Sequence, residues 1–283
     1  MVKMEKLKEL IKIVLLTGYI KNEQPVSLLL IAEPDSGKSS LMSRVVTNRG
    51  ILELTDISAW GISQMIAPLI DKNIEIKHII IPDFLVVLSK SKSTAERTIT
   101  FINSLTEEGI ANIGTYLNRG IEFKVSDKVR NTRVRAGIIT ALTLDEYNKK
   151  KKKMNQFGFL SRFLVVRYEY STDYLDRIFK EIWNGNYLHR EEELIEFPKE
   201  MKEVKIIEND FLYTQIKLLA KNKIDSGNVS GTGGRQVRMF KNLLQAIALK
   251  NGHNEVIQSD FEEFLSFESL INYSGRKVEP ITL

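Results

Sequence analysis

The run Ala32-Glu33-Pro34-Asp35-Ser36-Gly37-Lys38-Ser39-Ser40 carries the densest chemistry in the chain. It matches the phosphate-loop pattern of glycine, four residues, glycine, lysine and serine or threonine, except that Ala32 replaces the first glycine. An apolar stretch, Val26–Ile31, precedes it, and a helical pattern starts at Lys38, which is the context such a loop requires. Backbone N–H groups of the loop and helix start can then converge on phosphate oxygens. Lys38 would reach the outer phosphates of a nucleoside triphosphate, and Ser39 would offer its hydroxyl to Mg²⁺. Ala32 through Ser40 are therefore the candidate cofactor-binding residues, with ATP and Mg²⁺ as the expected cofactors. The plain alternative is an ordinary strand-loop-helix turn.

Hydrolysis needs an acid at the tip of a neighbouring strand. His78-Ile79-Ile80-Ile81-Pro82-Asp83-Phe84 is the fitting stretch. If Asp83 is the metal-side acid, Phe84 stands where a catalytic Glu belongs. If Asp83 takes that Glu's place, Pro82 stands where the metal-side Asp belongs. Asp83 could also simply cap the strand end. Farther on, Arg135-Ala136-Gly137-Ile138-Ile139-Thr140 reads as a strand ending in a polar residue, and a Thr there can touch the γ-phosphate or attacking water. Arg162 precedes the strand at Leu164-Val165-Val166. Arg235 starts an amphipathic helix after Gly233-Gly234, where a cation is mildly unfavourable on its own. Either arginine could equally be a solvated residue at the start of its element.

Alternating strands and helices must position these groups. Helical spacing covers 3–20. Strands are expected at Val26–Ile31, Ile51–Leu54, Ile76–Ile81, Arg135–Leu142 and Phe163–Tyr168. Helices are expected from Lys38 to about Asn48, at Ser58–Lys72 and at Thr94–Glu108. Residues 111–134 read as hairpin-like. Such alternation argues for a parallel sheet covered on both faces. Beyond Thr172 the strands nearly stop, and helices are expected at Phe211–Lys221, Arg235–Leu249 and Ser259–Tyr273. The expected organisation is a nucleotide-binding core over 1–171, linker helices over 172–204 and a small helical lid over 205–283.

The composition excludes several classes. The chain has 283 residues, 43% hydrophobic and 27% charged, with no Cys and a formal charge of +5, which is ordinary globular composition. Without Cys there is no disulfide scaffold, thiol nucleophile or thiolate metal site, and three scattered His make an imidazole metal site improbable. No apolar run reaches the ~18–20 residues of a membrane span, and the first residues lack a signal-peptide pattern; a cytoplasmic protein without membrane contact is expected. Basicity is local. Arg119–Arg135 nets +4 and Lys149–Lys153 adds +5, leaving the rest of the chain at −4. Such patches suit a polyanion, although a lysine run is often only solvated loop. Arg119, Lys124, Lys128, Arg130 and Arg133 are the candidate nucleic-acid contacts.

In series, these parts resemble the AAA+ ATPases, and more narrowly the ATPase domain of minichromosome maintenance helicases. Phe159-Leu160-Ser161-Arg162-Phe163 is similar to that family's Leu-Leu-Ser-Arg-Phe segment, Arg235-Gln236-Val237-Arg238 to its lid opening Arg-Gln-Leu-Glu, and Ile81-Pro82-Asp83-Phe84 to its Ile-Asp-Glu-Phe. The last alignment favours Asp83 in the Glu position. The resemblance spans about residues 20–270 as scattered motifs. It implies a three-layer P-loop sandwich with a helical lid, and an oligomeric ATPase acting on DNA, as a helicase-type motor or a replication or mobile-element ATPase, with DNA and another replication or mobile-element protein as the expected partners. Arg162 would be an arginine finger acting on a neighbouring subunit in a ring or filament. Arg235 would be the lid's sensor touching the γ-phosphate, Thr140 the first sensor, Asp83 the water-orienting and metal-side acid with Ser39 on Mg²⁺, and the basic 112–134 stretch a DNA-contacting pore hairpin. Ala32 and Pro82 depart from the family's pattern, and no zinc site or winged helix is evident. Two other readings stay open: an ATP-gated assembly or loader module with little hydrolysis, and a protein remodeller using Gly114-Thr115-Tyr116-Leu117 as its pore loop.

Overall fold

The computed structural model describes residues 2–55, 57–111, 126–185, 192–206 and 210–275. Five parallel strands, β1 (Ser27–Ala32), β2 (Ile51–Glu53), β3 (His78–Ile81), β6 (Gly137–Thr143) and β7 (Phe163–Arg167), form one sheet in the order β2-β3-β6-β1-β7. Parallel strands need crossovers, and the crossover helices cover the sheet, so each inner strand reads as an unbroken apolar run. β1, Ser-Leu-Leu-Leu-Ile-Ala, is buried along its whole length. The expected α/β architecture is present, with helices flanking a parallel sheet. A second, antiparallel pair joins β4 (Ile110–Ala111) to β5 (Arg133–Val134), so the expected hairpin has paired ends. Its span 112–125 lies outside the described residues.

Eleven helices occur among the described residues. α1 (Val2–Leu16) opens the chain; α2 (Lys38–Ser43), α3 (Ala59–Asp71), α4 (Leu85–Leu88) and α5 (Lys92–Thr106) alternate with strands. α6 (Asp127–Asn131) precedes β5, and α7 (Leu144–Gln156) links β6 to β7. α8 (Thr172–Trp183), α9 (Asp210–Gly227), α10 (Gly234–Lys250) and α11 (Gln258–Ser266) follow. Most lie within a few residues of the expected boundaries.

Several helices differ from the expectation. α4 and α6 are not among the expected helices, α6 falling within the expected hairpin; α9 runs on to Gly227 and α11 stops at Ser266. α2 and α7 show the physical reasons most clearly. α2 ends at Ser43 rather than near Asn48, and the chain continues in tight turns. Val45, Val46 and Thr47 are β-branched and propagate a helix poorly, while the buried Asn48 amide is engaged by the Glu193 carbonyl and the Ile195 N–H. The lysine run is not loop: Lys149–Lys153 lies within α7, whose Thr143 cap accepts a hydrogen bond from the Glu146 N–H. Five lysines mask the period, and two buried anchors two turns apart, Tyr147 and Met154, hold the helix to the core.

α9, α10 and α11 share the same hydrophobic core as the sheet, whereas α8 has no buried residue and meets that core through the half-buried Tyr174. α10 packs against α1, α9 and α11. Three buried amides on α10 bind main-chain carbonyls: Gln236 donates to Ser161, Asn242 to Gln24 and Gln245 to Val204. Each buried carbonyl would otherwise cost a hydrogen bond, so α10 has one defined seat on the core. Among the described residues no helix is long and apolar enough to cross a membrane.

Candidate functional site: a phosphate loop and a distant arginine cluster

From the carboxyl end of β1 the chain travels toward the β2 edge, whereas from β6, its neighbour, it crosses β1 to reach β7. The two connections diverge, and such a divergence opens a crevice beyond the strand ends, where open α/β sheets take ligands. Ala32 and Thr143 are register partners at this crevice.

The loop from Glu33 to Gly37 rises from it. Asp35 (φ 57°) and Gly37 (φ 72°) take left-handed conformations, the second just before Lys38 opens α2. Glycine reaches that conformation without strain. The Lys38 ammonium folds back into the loop, donating to the Ala32 carbonyl at 3.0 Å, the Glu33 carbonyl at 2.5 Å and Ser36 Oγ at 3.1 Å. Burial pulls the Lys38 pKa below its ordinary value, against the opposing charges of Glu33, Asp35 and Asp83. The ammonium is therefore a partly desolvated cation at the centre of a curled main chain. Ser39 is exposed and Ser40 half-buried. Beneath the loop, Tyr168 and Tyr170 both donate to the Ser36 carbonyl, at 3.0 and 2.8 Å.

Two strands bring further groups. Asp83, just past β3, is exposed and accepts the Leu85 N–H at 2.8 Å, so it also caps α4. Phe84 is fully buried and stacks on Phe159 at 4.7 Å. Asp83 is thus the acid on the crevice side, and Phe84 belongs to the core. Thr140 does not lie at a strand tip: it pairs with Leu29 and Ile81 within the sheet, is fully buried and donates its hydroxyl to the Ile81 carbonyl at 2.7 Å. β6 continues three residues farther, and the residue at loop level is Thr143. Thr140 breaks the apolar run Ile138–Leu142 and so reads as a strand end, although the strand continues through Ala141 and Leu142 to Thr143.

The predicted arginines gather elsewhere. Phe163, next to Arg162, pairs with Ser27 at the opposite end of β1 from Ala32, five residues or roughly 17 Å away at strand rise. There Arg235 Nε donates to Glu107 Oε2 at 3.0 Å, Arg238 Nη2 to Glu107 Oε1 at 2.5 Å, and Arg162 Nε stands 3.5 Å from Oε2. Arg162 also donates to the Gly158 carbonyl at 2.7 Å. Burial alone would push the Glu107 carboxyl up, but hydrogen bonding and charge from Arg238 and then Arg235 outweigh it and hold it below its ordinary value. The Arg162 guanidinium is shifted down, first by burial and then by Arg235. Arg235 is thus separated from the phosphate loop of its own chain and shares a site with Arg162.

Of the basic candidates, Arg119 and Lys124 lie outside the described residues, as do the Arg130 side chain and the Gly114–Leu117 loop. Lys128 and Arg133 are exposed; Lys128 Nζ donates to Asn73 Oδ1 at 2.5 Å, and Arg133 Nη1 to the Glu108 carbonyl at 2.9 Å.

Sequence reasoning missed Thr143, Glu107, Arg238, Tyr168 and Tyr170. Arg238 sits one turn from Arg235 on α10 and could have been read from helical spacing. Glu107 and the tyrosines carry no local signal, because their partners are distant in sequence. Among the described residues no three His, Asp or Glu side chains gather into a metal-holding group; Ser39 and Asp83, both exposed, are oxygen donors of the kind that Mg²⁺ accepts beside phosphate oxygens and water. No family model matches this sequence, and no curated protein matches it.

Proposed function

We propose that the protein is an oligomeric ATPase of the AAA+ type that acts on DNA. The observation carrying this reading is the loop at the β1–β6 crevice. It has two left-handed residues, a lysine drawn into its centre, an exposed serine at the next position and an acid on the strand beyond. Lys38 would leave its main-chain acceptors for phosphate oxygens, which offer a charged partner in their place. Ser39 and Asp83 would hold Mg²⁺, which shields phosphate charge and orients the triphosphate. Asp83 and Thr143 would orient the attacking water.

The arginine cluster fits action on a neighbouring copy. Arg162, Arg235 and Arg238 sit at the opposite end of the sheet from the loop, roughly 17 Å along β1, which favours service to a neighbouring copy over their own chain's nucleotide. A head-to-tail contact would bring this edge of one copy onto the loop of the next, and such heterologous contacts build rings or helical filaments. Arg162 and Arg235 would both then face the γ-phosphate of the adjacent copy. Exposed Lys128 and Arg133, at the base of the β4–β5 pair, support contact with a polyanion.

A second reading, an ATP-gated assembly module with little hydrolysis, is favoured by Asp83 itself, which already caps α4 and has Pro82 rather than a second carboxylate beside it. Phosphate release from ATP with Mg²⁺ separates the two, measured with and without single- and double-stranded DNA and with Lys38→Ala as blank. Turnover that rises with DNA supports the motor. Tight binding without turnover supports the assembly module, and no binding at all overturns both.

A further inference from the structure

A main-chain nest grips phosphate only while its N–H groups point inward and its carbonyls point away. In a trans peptide the C=O of one residue and the N–H of the next lie on opposite sides, so the direction of the Ser36 carbonyl sets the direction of the Gly37 N–H. Gly37 is the least restrained residue of the loop, because glycine tolerates either sign of φ. Something outside the loop has to hold this peptide in place.

The Ser36 carbonyl has two lone pairs and receives two phenols, Tyr168 at 3.0 Å and Tyr170 at 2.8 Å, from 132 and 134 residues away in sequence. Tyr168 is fully buried, and its N–H donates to the Ile31 carbonyl at 3.2 Å, so its main chain is locked to the strand that carries the loop. Tyr170 is fixed from its other side by stacking on Tyr174 of α8, with ring centroids 4.8 Å apart. Its hydroxyl lies 3.8 Å from where a Cβ on Gly37 would sit, directly under the turn. Burial pushes both phenols well above their ordinary range, so both stay protonated donors. The fold therefore commits one buried and one half-buried hydroxyl to a single loop carbonyl.

We propose that Tyr168 and Tyr170 are positioning residues of the phosphate loop, turning the Ser36–Gly37 peptide so that its N–H faces a bound polyphosphate. This rests on the nucleotide-binding reading above and adds to it the residues that preorganise the loop before ligand arrives. The hydroxyls act through the peptide and touch neither base nor ribose, so their contribution is the same for any ligand presenting the same phosphates.

The test is calorimetric binding of MgATP and of magnesium tripolyphosphate, well below the unfolding midpoint of each variant. The panel is wild type, Tyr168→Phe, Tyr170→Phe, the double variant, Tyr174→Phe and Lys38→Ala. Phenylalanine keeps the rings and removes only the donors. Each single change is expected to weaken both ligands by roughly three- to tenfold, as for one lost hydrogen bond. The double variant should lose more, and by the same factor for ATP and tripolyphosphate. Tyr174→Phe, which keeps the stack, should bind like wild type. If the double variant binds within twofold of wild type while Lys38→Ala loses binding, the positioning role is overturned and the nucleotide reading stands. A loss confined to ATP also overturns it, since that would mean contact with the nucleoside. If wild type binds neither ligand, both the reading and this inference fall.

Discussion

Arg235 Nε and Glu107 Oε2 meet at 3.0 Å although 128 residues separate them, the first on the opening turn of α10 and the second just past the end of α5. This contact, with the parallel one from Arg238 to Oε1, decides where the arginines of α10 lie. It holds them at the edge of the sheet where β1 and β7 begin, beside Arg162, and away from the phosphate loop at the other end.

Action between copies predicts complementation in mixtures. On the proposed reading Lys38→Ala removes the cation that meets phosphate and Arg162→Ala a charge offered to the adjacent copy, so each variant alone should show less than about 1% of wild-type turnover. Mixed in equal amounts, they form some contacts that pair an intact loop with an intact arginine edge. Phosphate release should then recover to a substantial fraction of the wild-type rate. A mixture no more active than its components would mean that Arg162 serves its own chain.

Glu107 organises three guanidiniums, and Glu107→Gln should loosen them. Arg235 and Arg238 are each more than a third exposed, so solvent screening limits the loss to about 1 kcal/mol. The sign with pH follows from the direction of the shift. A carboxylate held below its ordinary 4.5 stabilises the fold above that pH and loses its contribution as pH falls through the lowered value. The stability difference between wild type and Glu107→Gln, measured by urea unfolding, should be largest at neutral pH and shrink as pH falls below 4.5 toward the lowered value.

His78 predicts a second, separate window. It is fully buried, its Nε2–H donates to the Val26 carbonyl at 3.2 Å, and burial pulls its pKa from 6.5 to about 4. The unfolded chain therefore binds a proton between pH 6.5 and 4 that the folded chain refuses, so stability falls as pH drops through that range, by up to about 3 kcal/mol. Urea unfolding from pH 7.5 to 4.5 should show this slope in wild type and lose it in His78→Gln.

The imidazole of His78 occupies space that glycine leaves. A Cβ on Gly137 would sit 2.5 Å from His78 Cδ2 and 2.8 Å from the Val26 carbonyl, and one on Gly18 would sit 2.8 Å from Lys77 Cβ. Gly137→Ala should therefore destabilise the fold by about 1–3 kcal/mol through overpacking. Thermal unfolding would show this as a lowered midpoint. An unchanged midpoint would mean that β3 and β6 can separate at no cost.

Much of the fold was legible along the chain because the responsible signals are local. Unbroken apolar runs mark β1, β3, β6 and β7 as strands covered on both faces, and the 3.6-residue period marks α3, α5 and α10. The phosphate loop is local too: Gly37, Lys38 and Ser39 are consecutive, and an apolar strand before them and a helix start after them complete the pattern. α7 escaped notice because its only buried anchors, Tyr147 and Met154, are separated by a lysine run. The length of α2 was misjudged because Asn48 is held by residues beyond 190.

The sequence by itself determined most element types, the parallel sheet and the Gly37-Lys38-Ser39 loop between strand and helix, since each follows from short-range periodicity and backbone preference. Only the tertiary structure decided that Thr143 rather than Thr140 stands level with Ala32, because strand register is set by pairing across the sheet. The tertiary structure alone joined Arg162, Arg235 and Arg238 on Glu107 and brought Tyr168 and Tyr170 beneath Ser36. Those relationships depend on where β7 and α10 pack, and no interval of sequence records a distance between segments more than 100 residues apart.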